Sequence, residues 1–198
     1  NKEIVNEGHS YWYDITNLTD ESGQAEALVN CFTPGDTRKE MITYVKAENK
    51  AYLMTKFLDT KNVSFNQVGN DQILLRYADV LLMYAEALNE LGYDASEGSI
   101  ALKQLNATRT RAGLTKLTAA DVPTQESFRK AILDERQKEF PYEGHRWFDL
   151  VRMGYAKSVL ATQGLNIQDY QLLFPIPQTE IEKVGDSKIL WQNPGYDK

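Results

Sequence analysis

From Ile73 to Leu91 apolar residues recur at intervals of three and four, with Leu74, Ala78, Leu81, Ala85 and Leu88 on one stripe and Tyr77, Tyr84 and Leu91 beside it. This period predicts an amphipathic helix, ended by Gly92. Ala78 and Ala85 are small enough for a second helix to approach closely, which suits one arm of an antiparallel hairpin. The other arm is expected from near Ser96 through Ala101, Leu105 and Thr108 to Arg111, with Gly113 as a left-handed cap. The pair has about the length of a tetratricopeptide unit, and Leu91-Gly92-Tyr93 echoes the turn of such repeats. One copy is legible.

A third helix follows Thr124, a good N-cap, and places Phe128, Ile132, Arg136 and Phe140 at successive intervals of four before Pro141 stops it. The next stretch crowds Glu143, Arg146, Trp147, Phe148, Asp149 and Arg152 together. It predicts a short fourth helix through Trp147, Leu150 and Val151, ending at Gly154. Its aromatic pair is expected to be buried, with Arg146, Asp149 and Arg152 neutralising one another on the flank. Beyond Gly154 the pattern predicts loop, with a capped turn at Thr179 and Glu182.

Before Ile73 the periodicity fades. Residues 1–70 are rich in Asn, Thr, Asp and Gly and predict a loop-rich segment with short elements, such as Ala51 to Phe57 and a turn at Thr33-Pro34-Gly35-Asp36. The expected fold is mostly α, with tetratricopeptide-like helical hairpins, long loops and minor short strands. Residues 71–198 are expected to form one compact helical region.

Composition narrows the function classes. The 198 residues are 42% hydrophobic, enough for a substantial core, and carry a formal net charge of -6 without a basic run. Nucleic-acid binding through phosphate neutralisation therefore has little support. The single cysteine, Cys31, has no partner for an internal disulfide and reads as a small buried hydrophobe. No run of eighteen apolar residues is present to span a membrane.

Candidate chemistry is sparse. Asp134, Glu135, Glu139 and Glu143 cluster as a glycosidase pair would demand, yet Glu135 and Glu139 lie one helical turn apart beside Arg136 and Lys138, the spacing of solvated or salt-bridged carboxylates. His9 and His145 have no second ligand at metal-binding spacing, so no metal or cofactor is expected, and His145 reads as a polar anchor for the turn after Pro141. His145-Arg146 with Asp149 resembles a kinase catalytic loop only faintly, and no phosphate-cradling glycine loop or Gly-x-Ser-x-Gly elbow accompanies it. No catalytic residue is assigned. Tyr11-Trp12-Tyr13, flanked by His9, Asp14 and Asn17, is the aromatic cluster best placed to stack on sugar rings; an extended backbone would set Tyr11 and Tyr13 on one face and Trp12 on the other. The same three residues fit a strand with a buried Trp better still.

The order of the motifs adds a resemblance. Arg76-Tyr77-Ala78-Asp79 through Asn89, Leu105-Asn106 with Arg109, Arg111-Ala112-Gly113-Leu114, Asp134-Glu135-Arg136 with Glu139-Phe140, the Gly144 to Arg152 segment, Phe174-Pro175-Ile176-Pro177 and Gln192-Asn193-Pro194-Gly195-Tyr196 together resemble the C-terminal part of the SusD/RagB family of outer-membrane nutrient-binding lipoproteins. They cover about residues 70 to 196. Val184-Gly185-Asp186-Ser187 departs from the Asn-Pro pair often found before the final motif, an expected surface-loop change. The resemblance implies a helical scaffold without chemistry of its own. It also implies an oligo- or polysaccharide ligand, a TonB-dependent SusC-like outer-membrane transporter as partner, and a surface location through a lipid anchor that this chain does not carry. The family's precursors are longer, so the chain is expected to be a C-terminal piece. The motif residues carry over as scaffold, leaving Tyr11, Trp12 and Tyr13 as ligand-binding candidates on chemical grounds alone. The alternative is a helical-repeat protein-protein interaction module whose hairpin groove never touches sugar.

Overall fold

The computed structural model describes residues 28–46, 51–54, 56 and 73–196. The chain falls into two compact units, Asn1–Arg146 and Trp147–Lys198.

In the first unit a 3-10 turn (Thr37–Met41) leads into strand β1 (Ile42–Lys46), which pairs antiparallel with β2 (Ala51–Met54). Ile42 lies opposite Met54 and Tyr44 opposite Tyr52, with an irregularity between Tyr44 and Lys46. Asp36 caps the turn, its carboxylate accepting from the Arg38 N–H at 3.1 Å.

Three helices carry the core: α1 (Tyr77–Leu91), α2 (Ile100–Arg111) and α3 (Gln125–Glu139). They match the predicted hairpin and third helix, in a fold that is mostly helical with one short β hairpin among the described residues. Two boundaries differ. Helix α1 starts at Tyr77 rather than Ile73, because Arg76 is extended at φ -147°, ψ 161°. Helix α2 starts after Ser99, whose hydroxyl accepts from the Leu102 N–H, while Ser96 is held in a local turn by Asp94. The buried face of α1 keeps Ala78 and Ala85 of the predicted stripe but takes Leu82 and Asn89 where Leu81 and Leu88 were expected. Ala78, Leu82, Ala85 and Asn89 are buried, whereas Tyr77, Val80, Tyr84 and Leu91 are exposed.

Leu82, Leu105, Phe128 and Ile132 fill the centre of this unit. Tyr93 packs its ring 5.5 Å from Phe128 and donates its hydroxyl to the Val122 carbonyl, tying the α1–α2 connection to the entry of α3. Thr124 and Ser127 close a reciprocal capping box at that entry. The end of α2 is a Schellman turn: Gly113, at φ 80°, donates to Thr110, and Leu114 donates to Arg109 at 3.0 Å. A side chain at Gly113 would also meet the Gly35 carbonyl at 3.1 Å, and the same junction is pinned by the Thr37 N–H and hydroxyl on the Ala112 carbonyl.

The second unit begins one residue into α4 (Arg146–Arg152) and also holds α5 (Ala156–Thr162), a 3-10 turn (Asp169–Leu172) and α6 (Gln178–Val184). The sequence pattern foresees α4, reads α6 only as a capped turn, and misses α5, which is two turns long. The chain end works as a clasp. The Gln192 amide accepts from the Ile176 N–H and donates to its carbonyl, both at 2.8 Å, while Asn193 reaches Phe174 and the Tyr196 hydroxyl reaches Leu173. Gly195, at φ 90°, has no room for a side chain, since a Cβ would stand 2.8 Å from Tyr170 Cδ2. Two of the motifs read from sequence are thus the two halves of one clasp.

Candidate functional site

The densest polar constellation lies on α3 and the turn after it, in the first unit. Glu139 is almost wholly buried, yet its carboxylate receives Arg38 at 3.0 Å and Arg76 and Arg111 at 2.5 Å. Glu135, one turn earlier, takes Arg38 at 2.7 Å, and its second oxygen stands 3.5 Å from the Arg109 guanidinium without a hydrogen bond. Glu143 accepts two bonds from Arg76, at 2.8 and 2.9 Å, and one from Lys56. Arg38 completes its fork with Asp36, at 2.8 Å through both Nε and Nη2. Behind this group Arg136 pairs with Asp79 at 2.7 Å, and the guanidinium groups of Arg76 and Arg136 stand 4.5 and 4.9 Å from the centre of the buried Phe140 ring.

Burial alone would raise the Glu139 and Glu143 carboxyls. The bonds from Arg111 and Arg76 to Glu139, and from Arg76 and Lys56 to Glu143, outweigh it and hold both below the usual carboxylate range. Burial lowers Lys56, with Glu143 opposing. A glycosidase needs one carboxyl that keeps its proton and a second facing the same sugar. Glu135 and Glu139 face guanidinium groups and are closed to a sugar ring, so their arrangement performs no such chemistry. The ion-paired reading of these carboxylates holds, with the addition that the pairs are buried.

The other candidates resolve differently. Tyr11, Trp12 and Tyr13, with His9, lie outside the described residues. His145 packs its ring, tilted by 54°, 4.9 Å from Phe140, as an anchor of the turn in which Tyr142 takes a left-handed φ of 61°. Cys31 is half-buried, and burial pushes its thiol up to about 11. Among the described residues no group of three His, Cys, Asp or Glu side chains is placed to hold a metal ion, and no helix is long and apolar enough to cross a membrane.

The Trp147–Phe148 pair corrects its expectation. Phe148 is 60% exposed and Trp147 half-buried, because a two-turn helix can turn only one of two adjacent aromatics inward. The inward positions on α4 go to Leu150 and to Asp149, which Arg152 grips at 2.8 Å. Arg146 donates to the Leu133 carbonyl at 3.0 Å. Phe174, itself 64% exposed, stands 6.2 Å from Trp147 and 6.5 Å from Phe148, so three aromatics share one surface of the second unit. Sequence reasoning names Phe174 within a motif and misses this juxtaposition. The only signal is a large apolar residue just before Pro175, far from any helical period.

Comparison with known proteins fits this architecture. A curated SusD-like protein of Formosa agariphila is 36% identical over 140 residues, 65% of this chain and 26% of that protein. The starch-binding protein SusD of Bacteroides thetaiotaomicron is 31% identical over 70% of this chain and 24% of its own length. A surface glycan-binding protein A of Bacteroides thetaiotaomicron, solved with laminarihexaose, superposes with a TM-score of 0.63 at 25% identity, over 83% of this chain and 39% of that one. The chain thus spans about a quarter of these curated relatives. The model of the SusD family matches residues 41–196, most of the sequence and nearly the same span as the motif series, and on that match the chain belongs to the SusD family.

Proposed function

We propose that this chain serves in the non-enzymatic capture of an oligo- or polysaccharide at the outer-membrane surface, where a lipid anchor holds the protein, and in its handover to a TonB-dependent SusC-like transporter. The observation that carries this reading is the family match over residues 41–196, and the laminarihexaose complex of a relative with the same fold supports it. The buried charge network agrees with it, since the strongest carboxylate cluster is used to hold the scaffold together. Tyr11, Trp12 and Tyr13 remain the proposed stacking residues.

The test is a binding screen of the protein against a panel of soluble neutral and acidic polysaccharides, with a variant carrying Tyr11→Ala, Trp12→Ala and Tyr13→Ala beside it. Binding weakened at least tenfold in the variant supports both the glycan and the residues. Binding unaffected by the substitutions removes these three residues from the site, and a panel without any binding overturns the reading. The exposed stripe of Tyr77, Val80, Tyr84 and Leu91 on α1 favours a second reading, a helical protein-protein interaction module. Co-purification with a soluble partner instead of an outer-membrane barrel would favour that alternative.

A further inference from the structure

Helix α2 and the connection that follows it enclose a groove of about 430 Å³, within the size range of small-ligand sites. One wall is the α2 face carrying Lys103, Ala107 and Thr110, spaced four and three residues apart so that they line up along the helix. The other wall is Lys116-Leu117-Thr118.

This second wall is loop, yet it is held rigidly. Asn106 is buried, and its side chain both donates to the Leu117 carbonyl and accepts from the Leu117 N–H, each at 2.8 Å. Upstream, Arg109 donates to the Thr115 carbonyl and the Schellman turn at Gly113 fixes the departure from α2. Downstream, Asp121 holds Thr118 by its N–H and its hydroxyl, both at 2.7 Å. The groove therefore exists before any ligand enters it, which removes most of the ordering cost of binding.

Its chemistry is asymmetric in charge. Lys103 and Lys116 face it from opposite walls, both exposed, and neither forms an ion pair among the described residues. Glu97 is the one carboxylate of the lining, and it is occupied by the Ala119 N–H at 2.7 Å. Many other basic side chains of this acidic chain are paired, Arg111, Arg129, Lys157 and Lys183 among them. Leu117, half-buried above the core residue Leu102, supplies an apolar surface of the kind that meets a sugar ring.

We propose that this groove is a subsite for an acidic carbohydrate, whose carboxylate or sulfate group sits between Lys103 and Lys116 while a sugar ring lies on Leu117. The proposal rests on the glycan-binding reading and specifies it: the captured glycan carries anionic groups.

The experiment titrates the whole chain with a galacturonate oligomer, the methyl ester of the same oligomer, and a sulfated galactan oligomer, at 50 mM and about 500 mM salt. The wild type should bind at least one anionic oligomer about tenfold more tightly than the neutral ester at low salt, and lose that advantage at high salt. The source of the anion follows from which of the two acidic probes binds. Lys103→Gln with Lys116→Gln should remove the tenfold advantage and leave ester binding and the melting temperature unchanged, since both side chains are exposed. Equal affinities for acid and ester, or an advantage that survives the double substitution, overturns the inference while leaving the glycan reading in place. Absence of binding to all three probes and to every polysaccharide of the panel overturns both.

Discussion

Replacing Glu139 by Gln tests the buried charge network at its centre. The carboxylate is 2% exposed and receives three guanidinium groups. Removing one partner of a buried ion pair costs about 3 to 5 kcal/mol, because the remaining charge stays desolvated. Here the lower end applies, since every arginine has a second resource. Arg38 keeps Asp36 and Glu135, Arg76 keeps Glu143, and the Arg111 side chain, 56% exposed, can turn into water. The expected loss is about 3 kcal/mol, or a urea midpoint about 1.5 M lower at a slope of about 2 kcal/mol/M. Far-UV circular dichroism is the appropriate probe, because the helices α1 to α3 that depend on this network dominate the signal.

The same substitution has a pH signature. Glu139 holds its carboxyl below the ordinary value of 4.5, so the unfolded chain binds that proton more readily than the folded one. Its contribution is complete above about pH 4.5 and disappears as the pH falls through the folded value. The gap between wild type and Glu139→Gln should therefore narrow on acidification below that point. A loss under about 1 kcal/mol at neutral pH, or a gap that widens in acid, refutes the view that this network holds the unit together.

Other substitutions test other parts of the fold. Gly113→Ala, forced into a left-handed φ and toward the Gly35 carbonyl, should cost about 1 to 2 kcal/mol in the same urea titration, whereas Gly144→Ala meets no atom and should cost about 1 from its φ alone. Gly195→Ala should open the terminal clasp, read as faster amide exchange at Ile176 and Asn193. Trp147→Ala should cost about 2 kcal/mol, below the 3 to 5 of a fully buried ring, since this ring is only half-buried. Cys31, with its thiol at about 11, should resist iodoacetamide at pH 8 in the folded protein and react once urea unfolds it, as followed by mass spectrometry.

Local elements were legible in the chain because their causes are local. The period of α1 to α3, the Thr124 cap, the Gly113 cap and the stop before Pro141 all follow from backbone geometry and side chains within a few residues. The boundary at Tyr77 and the rotation of the α1 face were not legible. They depend on Arg76 leaving the helix to meet Glu139 and Glu143, 63 and 67 residues away. The candidate sites divide in the same way. Glu135 and Glu139 announced an ion-paired surface by their spacing, but nothing nearby named Arg38 as the group that buries them.

By itself, then, the sequence determined the helical class, the three core helices with their caps, and the family through the order of its motifs. Tertiary structure alone decided which arginine met which carboxylate, which face of α4 turned inward, and that Asn106 would hold a rigid wall opposite Lys103. The reason is physical. Periodicity reports how a residue relates to its own helix, whereas partner choice among buried charges is set by desolvation, and desolvation exists only after distant segments have packed.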